Sequence, residues 1–221
     1  MNSEVTDLSG RTVIVTGAAD GMGRAMAEAV VAAGGRAVGF DLSAEALDAM
    51  AAPLADTGRV LTVAGDVTRE DDCVRCVDAA VAWAGGLDAL VNNAGVGMAA
   101  IRADNLENPI RFWEVEQDRW DRLMAINVRG PFMMARAAAP HLTARGWGRI
   151  VNVTTSFDTM LRGAYTPYGA SKAALEAATV SWSHDLAGSG VTVNALLPGG
   201  AVDSAFFDAS APLDRSTLIR P

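Results

Sequence analysis

Residues 11–23 read R-T-V-I-V-T-G-A-A-D-G-M-G. The first six, Arg11 to Thr16, are a short run rich in β-branched residues. That is the pattern of a strand buried on both faces. Gly17, Gly21 and Gly23 follow, and Met22 to Ala33 then carries helical periodicity up to Gly34-Gly35. A strand that passes through glycines straight into a helix leaves backbone N–H groups at a helix N-terminus, where a phosphate can approach them. Tight turns need glycine too, so the loop takes its meaning from what surrounds it.

Outward from this unit the rhythm repeats. Strands are expected at 36–41, 60–64, 89–92, 149–154 and 191–197. Helices are expected from a Ser43 cap to about 55, from a Thr68 cap boxed with Asp71 to Trp83, over 118–142, and over 168–187. Apolar strands separated by helices give a parallel sheet covered on both sides, a doubly wound, Rossmann-like α/β fold. No repeat, low-complexity run or linker interrupts it, so residues 1–221 are read as a single domain. The exception is Gly95 to Gln117, more than twenty residues without periodicity after the fourth strand, the edge where such folds bind ligands.

The 221 residues are half apolar and carry a formal charge of −8. That balance argues against nucleic acid or an anionic membrane as partner. No signal peptide or membrane-length apolar run is visible. Two cysteines without a secretory signal point to a cytoplasmic protein. Cys73-Val-Arg-Cys76 lacks a second ligand pair for zinc and lies too deep in its helix for a redox motif, so it is read as structural and no metal is expected.

Asp41 ends the second strand, where a carboxylate can accept hydrogen bonds from both ribose hydroxyls of an adenosine and repel a 2′-phosphate. Asp20 adds a second negative charge in the glycine loop. Together they predict NAD rather than NADP.

The spacing of Gly17, Gly21 and Gly23 differs from the usual dinucleotide fingerprint and resembles the T-G-x-x-x-G-x-G of the short-chain dehydrogenase/reductase family. Five further motifs follow in order: Asp66-Val67, Asn92-Asn93-Ala94-Gly95, Asn127, Tyr168-Gly-Ala-Ser-Lys172, and Pro198-Gly199. The resemblance implies an NAD-dependent oxidoreductase acting on a small-molecule secondary alcohol or ketone. It implies a cofactor site of Gly17, Asp20, Gly21, Met22, Gly23, Asp41, Leu42, Asp66, Val67, Asn93, Ala94, Gly95, Tyr168, Lys172, Pro198 and Gly199. It implies catalysis by Asn127, Thr155, Tyr168 and Lys172, with Asn127 in a proton relay. Two departures stand out. Thr155 occupies the place of the family's serine, and Ser156 beside it is a competitor for the same role. Members of the family usually continue beyond Pro221, so the chain is read as lacking a last helix and a seventh strand; Ser204 stands where a cofactor-touching threonine is usual.

The physical reading of the central pair agrees with the resemblance. Tyr168 and Lys172 are four apart and share a helix face. An ammonium beside a phenol is expected to lower its pKa from about 10 towards that of a useful base. Tyr165 stands seven before Lys172, a spacing that resembles the family's enoyl reductase branch. Pro167 suits a first helical turn and disfavours helix at Thr166, which puts Tyr168 on the helix and Tyr165 on the approach to it. Tyr168 is therefore the acid/base. Ser156, Phe157 and Tyr165 are candidate substrate contacts, with Met98, Met160, Leu161, Phe112 and Trp113 as further apolar candidates. Helices 118–142 and 168–187 are apolar nearly all round, which predicts a homodimer or homotetramer. The alternatives are a 3-oxoacyl-type ketone reductase, a catalytically silent NAD-binding sensor and a methyltransferase; the last has no need of N-N-A-G or the Tyr/Lys pair.

Overall fold

A computed structural model describes residues 7–199. Six parallel strands lie in the order β3-β2-β1-β4-β5-β6. They are β1 (Thr12–Thr16), β2 (Arg36–Asp41), β3 (Val60–Ala64), β4 (Ala89–Asn92), β5 (Gly148–Val153) and β6 (Val191–Leu196). The helices are α1 (Gly21–Ala32), α2 (Ala44–Ala51), α3 (Glu70–Ala84), α4 (Gln117–Met124), α5 (Gly130–Ala144), α6 (Phe157–Met160) and α7 (Tyr168–Asp185).

Strand alternation builds the two cores. Ile14 pairs with Val38 and Leu90, Leu90 with Ile150, and Ile150 with Val193. This buried row packs under α3 and α5, with Cys76, Met134 and Leu142 against it. One residue along, Val13, Val15 and Ala37 face the other way onto Val30, Val31, Leu47 and Met50 of α1 and α2. The expected fold class is the one observed.

Four local expectations differ. The Ser43 side chain caps α2 as expected, but the α-helix ends at Ala51 and a 3-10 turn runs on from Ala52 to Thr57; Pro53 has no N–H for a helical bond. Thr68 does not cap α3. Its N–H donates to Asp66 Oδ1 at 2.8 Å, and Arg69 takes the cap position. The long helix over 118–142 runs from Gln117 to Ala144 and is broken by a π-turn at Ala125–Arg129. The irregular segment holds two 3-10 turns, Met98–Ala100 and Phe112–Glu114.

The amino edge of the sheet gathers arginines. α1, α3 and α5 end there, and helix C-termini favour cations. Arg36 reaches the Ala84 carbonyl at the end of α3 at 3.4 Å. The Arg11 and Arg149 guanidiniums both stack on the Trp147 ring, at 3.9 and 4.3 Å from its centroid. Arg11 and Arg145 both pair with buried Asp88.

Cys73 and Cys76 are buried, and burial pushes both thiols up to about 12. They are packing residues, as expected. Among the described residues no group of three His, Cys, Asp or Glu side chains could hold a metal ion, and no helix is long and apolar enough to cross a membrane.

Candidate active site

From β1 the chain winds outward to β2 and β3, then returns to place β4 on the other side of β1. The connections therefore part at the carboxyl ends of β1 and β4 and open a crevice there. Thr16 ties the crevice together. Its hydroxyl accepts from the Asn93 and Ala94 amides, both at 3.0 Å, and the Asn93 side chain donates to the Thr16 carbonyl at 2.9 Å.

Gly17 has φ +66°, and a Cβ there would lie 2.9 Å from the Ala94 Cα. A Cβ on Gly23 would lie 1.9 Å from the Gly17 carbonyl oxygen. The first glycine thus makes the turn, and the third lets α1 pack on it. α1 begins at Gly21 with Asp20 as its N-cap residue, so Gly21, Met22 and Gly23 lie in the first turn, whose N–H groups have no intrahelical acceptor. Asp41 Oδ2 accepts from the Ala19 amide at 3.1 Å and Oδ1 from Ser43 at 3.3 Å, which fixes its carboxylate beside the loop. Leu42 next to it is 72% exposed. Asp66 closes the carboxyl end of β3. Val67 is buried and packs under Gly130 at the start of α5, where an added Cβ would lie 3.0 Å from it. Pro198 and Gly199 follow β6 at the same edge, Pro198 half-buried. A glycine cradle at a helix N-terminus with a fixed carboxylate beside it suits a dinucleotide: backbone donors for a pyrophosphate and an acceptor for ribose. Ser204 lies outside the described residues.

The candidate catalytic residues come from three segments, the π-turn, the loop after β5 and α7. Asn127 sits in the π-turn, a distortion frequent at functional sites, and is fully buried. Its Oδ1 accepts from the Val96 amide at 2.9 Å, and its Nδ2 donates to the Val96 carbonyl at 2.9 Å and to Ser171 Oγ at 3.1 Å. Ser171 in turn donates to the Tyr168 carbonyl at 2.7 Å. Asn127 therefore locks the start of α7 to the loop after N-N-A-G. A Cβ on Gly95 would lie 3.3 Å from Asn127 Oδ1 and 3.6 Å from Lys172 Nζ, so the two atoms share one space. Behind them Asn92 donates to Asn152 and Asn152 to Thr179, each at 2.8 Å, which ties α7 to the sheet a second time.

Tyr168 is buried, and its hydroxyl shares a hydrogen bond with the Thr155 side chain. Ser156 is committed elsewhere: it is the N-cap of α6, accepting from the Thr159 amide at 3.3 Å. Of the two candidates for the serine position, Thr155 reaches the tyrosine. The lysine does not lower the phenol as expected. Burial raises the Tyr168 pKa, the Thr155 bond opposes that, and Tyr165 raises it further. Lys172 Nζ lies 5.9 Å from the Tyr168 ring centroid and donates to the Val153 carbonyl at 2.8 Å.

Burial pushes the Lys172 ammonium down to about 8 from 10.5, roughly 3 kcal/mol in favour of the neutral amine. Below pH 8 the folded chain carries the full cost of that buried charge. Between about 8 and 10.5 the native amine has lost its proton and the unfolded one has not, so stability rises with pH. In urea unfolding, the wild type should therefore gain on a Lys172→Met variant between pH 7 and about 10. Tyr168 and the two thiols oppose this trend in both chains and cancel in the difference. A gap that stays constant with pH would remove the account.

Phe157 and Leu161 are exposed, Met98 and Met160 buried, and Phe112 and Trp113 meet edge to face at 5.0 Å on the exposed loop. Tyr165 is half-buried against Tyr168, their rings 6.2 Å apart. The hydroxyl of Thr16 and the relay of Ser171 went unread in the sequence, although each sits inside a quoted motif.

A family model described as short chain dehydrogenase matches residues 11–211. The chain belongs to the short-chain dehydrogenase family. Its members are oxidoreductases of alcohols and ketones that use a nicotinamide cofactor. The 2-(R)-hydroxypropyl-CoM dehydrogenase of Xanthobacter autotrophicus is 38% identical over 86% of this chain and 74% of its own. Among solved short-chain dehydrogenases, a 3-ketoacyl-(acyl-carrier-protein) reductase from Brucella melitensis complexed with NADH superposes with TM-score 0.81 at 30% identity, over 90% of this chain and 79% of that one. A metagenomic short-chain oxidoreductase in complex with NADP gives TM-score 0.78 at 29% identity, over 88% and 86%.

Proposed function

We propose that this short-chain dehydrogenase prefers NAD and interconverts a secondary alcohol and its ketone, with Tyr168 as acid/base. The observation that carries the reading is the buried phenol hydrogen-bonded to Thr155, one helical turn from a buried ammonium. In reduction, the Tyr168 and Thr155 hydroxyls hold the carbonyl oxygen, and Tyr168, kept protonated by burial, delivers its proton to that oxygen. The nicotinamide, when bound, supplies the hydride and in the oxidised form a positive charge that favours a phenolate for the reverse direction. Lys172 adds a donor facing the space beside Gly95. Asn127 spends both amide protons on Val96 and Ser171 and keeps an acceptor lone pair on Oδ1 for a relay water. A turnover screen of secondary alcohols with NAD, beside calorimetric NAD binding, decides the reading. Binding without turnover would mark a silent sensor instead. Likeness to the Brucella reductase favours a second reading, a 3-oxoacyl-type ketone reductase, and the same screen run with 3-oxoacyl thioesters separates the two.

The preference for NAD rests on Asp41, whose carboxylate is fixed by two backbone amides and has no Arg or Lys within ion-pair distance among the described residues. NADH should bind at least about tenfold more tightly than NADPH, the effect of roughly 1.4 kcal/mol. Asp41→Ala should narrow that ratio, and tighter binding of NADPH by the wild type would overturn the preference.

A single domain over residues 1–221, a cytoplasmic setting and assembly into a homodimer or homotetramer belong to the same proposal. Phe132 on α5 is 46% exposed and Val180 on α7 57%, which supports cover by a second copy. Light scattering at micromolar concentration should give at least a dimer; a monomer would remove that part.

A further inference from the structure

One arginine at the site remains outside this account. Arg162 lies in the turn between α6 and α7, its guanidinium 4.8 Å from the centre of the Tyr165 ring. Its Nη1 donates to the Tyr165 hydroxyl at 3.4 Å. The Tyr165 ring meets the Tyr168 ring edge to face, so the guanidinium stands two aromatic rings from the acid/base.

Among the described residues, some arginines of this acidic chain have carboxylate partners and others, Arg59 and Arg119 among them, have none. Arg24 pairs with Glu28, Arg75 with Asp72, Arg102 with Asp104 and Arg136 with Glu70. Arg162 has none within 4.0 Å among the described residues, although Asp158 is only four residues away. A guanidinium has five N–H donors in a fixed fork, and a single one is spent on Tyr165. Stacking on a ring holds the fork in place while leaving its outer edge free for a planar anion. Arg162 itself is exposed, and on its far side Tyr165 packs against an apolar cluster of Met98, Ile110, Leu123 and Tyr168. The site thus offers two hydroxyls for a carbonyl oxygen, an apolar wall and a guanidinium beyond the second ring.

We propose that Arg162 anchors the carboxylate of the substrate, which makes this enzyme specific for hydroxy acids and oxo acids over neutral alcohols and ketones. The inference rests on the assignment of Tyr168 as acid/base. Tyr165 serves as the platform that orients the guanidinium, and the distance across the two rings sets the length of the acid accepted. The interaction is partly solvated, so it selects by a modest factor and fades with salt.

The probes are 4-oxopentanoate, 5-oxohexanoate and 6-oxoheptanoate, each beside its methyl ester. Binding to the NADH-loaded protein is measured by calorimetry, and turnover by loss of nicotinamide absorbance. At least one acid should bind about three- to tenfold more tightly than its ester, and the advantage should shrink in high salt. Arg162→Leu should abolish the advantage, Arg162→Lys should keep part of it, and Arg59→Gln, a change at an exposed site before β3, should leave it intact. NADH affinity should be the same in all four proteins. Equal binding of every acid and ester, no binding of either, or an advantage that survives Arg162→Leu would each overturn the assignment. Acids that bind through Arg162 without turnover would leave the anchor standing and overturn the proposed alcohol–ketone reaction at Tyr168. Esters turned over as well as acids would do the reverse.

Discussion

Tyr168→Phe should lower kcat by about a thousandfold, within the 10²–10⁴ that a positioned acid/base contributes, and leave NADH affinity within about twofold. The substitution removes one oxygen. The ring that packs with Met98, Ile110 and Leu123 stays, and the backbone carbonyl that receives Ser171 is untouched. What disappears is the proton that the carbonyl oxygen must receive and the partner of the Thr155 hydroxyl. Tyr165→Phe should keep most of the rate, because its hydroxyl faces Arg162 and its ring remains as the platform. Steady-state kinetics on both variants, with calorimetric titration of NADH, tests the pair. A Tyr165→Phe enzyme that is dead beside a Tyr168→Phe enzyme that works would exchange the roles and put the reaction closer to enoyl reduction.

The frame was legible because strand and glycine chemistry are local. Thr12–Thr16 is buried on both faces and could only be a central strand, and a loop that needs φ > 0 at Gly17 and Gly21 announces itself in composition. The Tyr168/Lys172 pair could be proposed from its spacing, whereas Asn127 entered only through the resemblance to the family. Three things were not legible. The choice between Thr155 and Ser156 depends on which hydroxyl is consumed by capping, and the cap of a four-residue helix leaves almost no periodic signal. The direction of the Tyr168 shift depends on burial, which outweighs a neighbouring charge already turned towards the Val153 carbonyl. The π-turn needs no unusual residue; it arises where the Asn127 amide exchanges hydrogen bonds with Val96, thirty-one positions earlier. Thr68 failed as a cap for a local reason, since Asp66 two residues before it offers its N–H a closer acceptor.

Asp88→Ala should destabilise the fold by about 3 kcal/mol, at the lower end of the cost of breaking a buried ion pair. Asp88 stands just ahead of β4, at the edge of the sheet opposite the active site, with its side chain 2% exposed. Oδ1 faces Arg11 at 3.0 Å and Arg145 at 3.4 Å, and Oδ2 accepts from the Thr12 amide at 2.9 Å. Removing the carboxylate leaves a buried strand N–H without an acceptor, which alone costs about 1–3 kcal/mol. The two guanidiniums fare better, because each is about two-fifths exposed and can turn to water. This asymmetry orders a series. Asp88→Asn keeps an oxygen for Thr12 and should cost less than Asp88→Ala, while Arg11→Met or Arg145→Met should each cost under about 1 kcal/mol, as half-solvated pairs do. For a chain of this size the alanine variant corresponds to a loss of roughly 10 °C in Tm. Urea unfolding of the four variants gives the order. NADH affinity of whatever remains folded should be unchanged, since Asp88 shares no contact with the cradle. An Asp88→Ala protein as stable as the wild type, or arginine variants that cost more than it, would mean that the carboxylate is not what joins β1 to β4 at this edge.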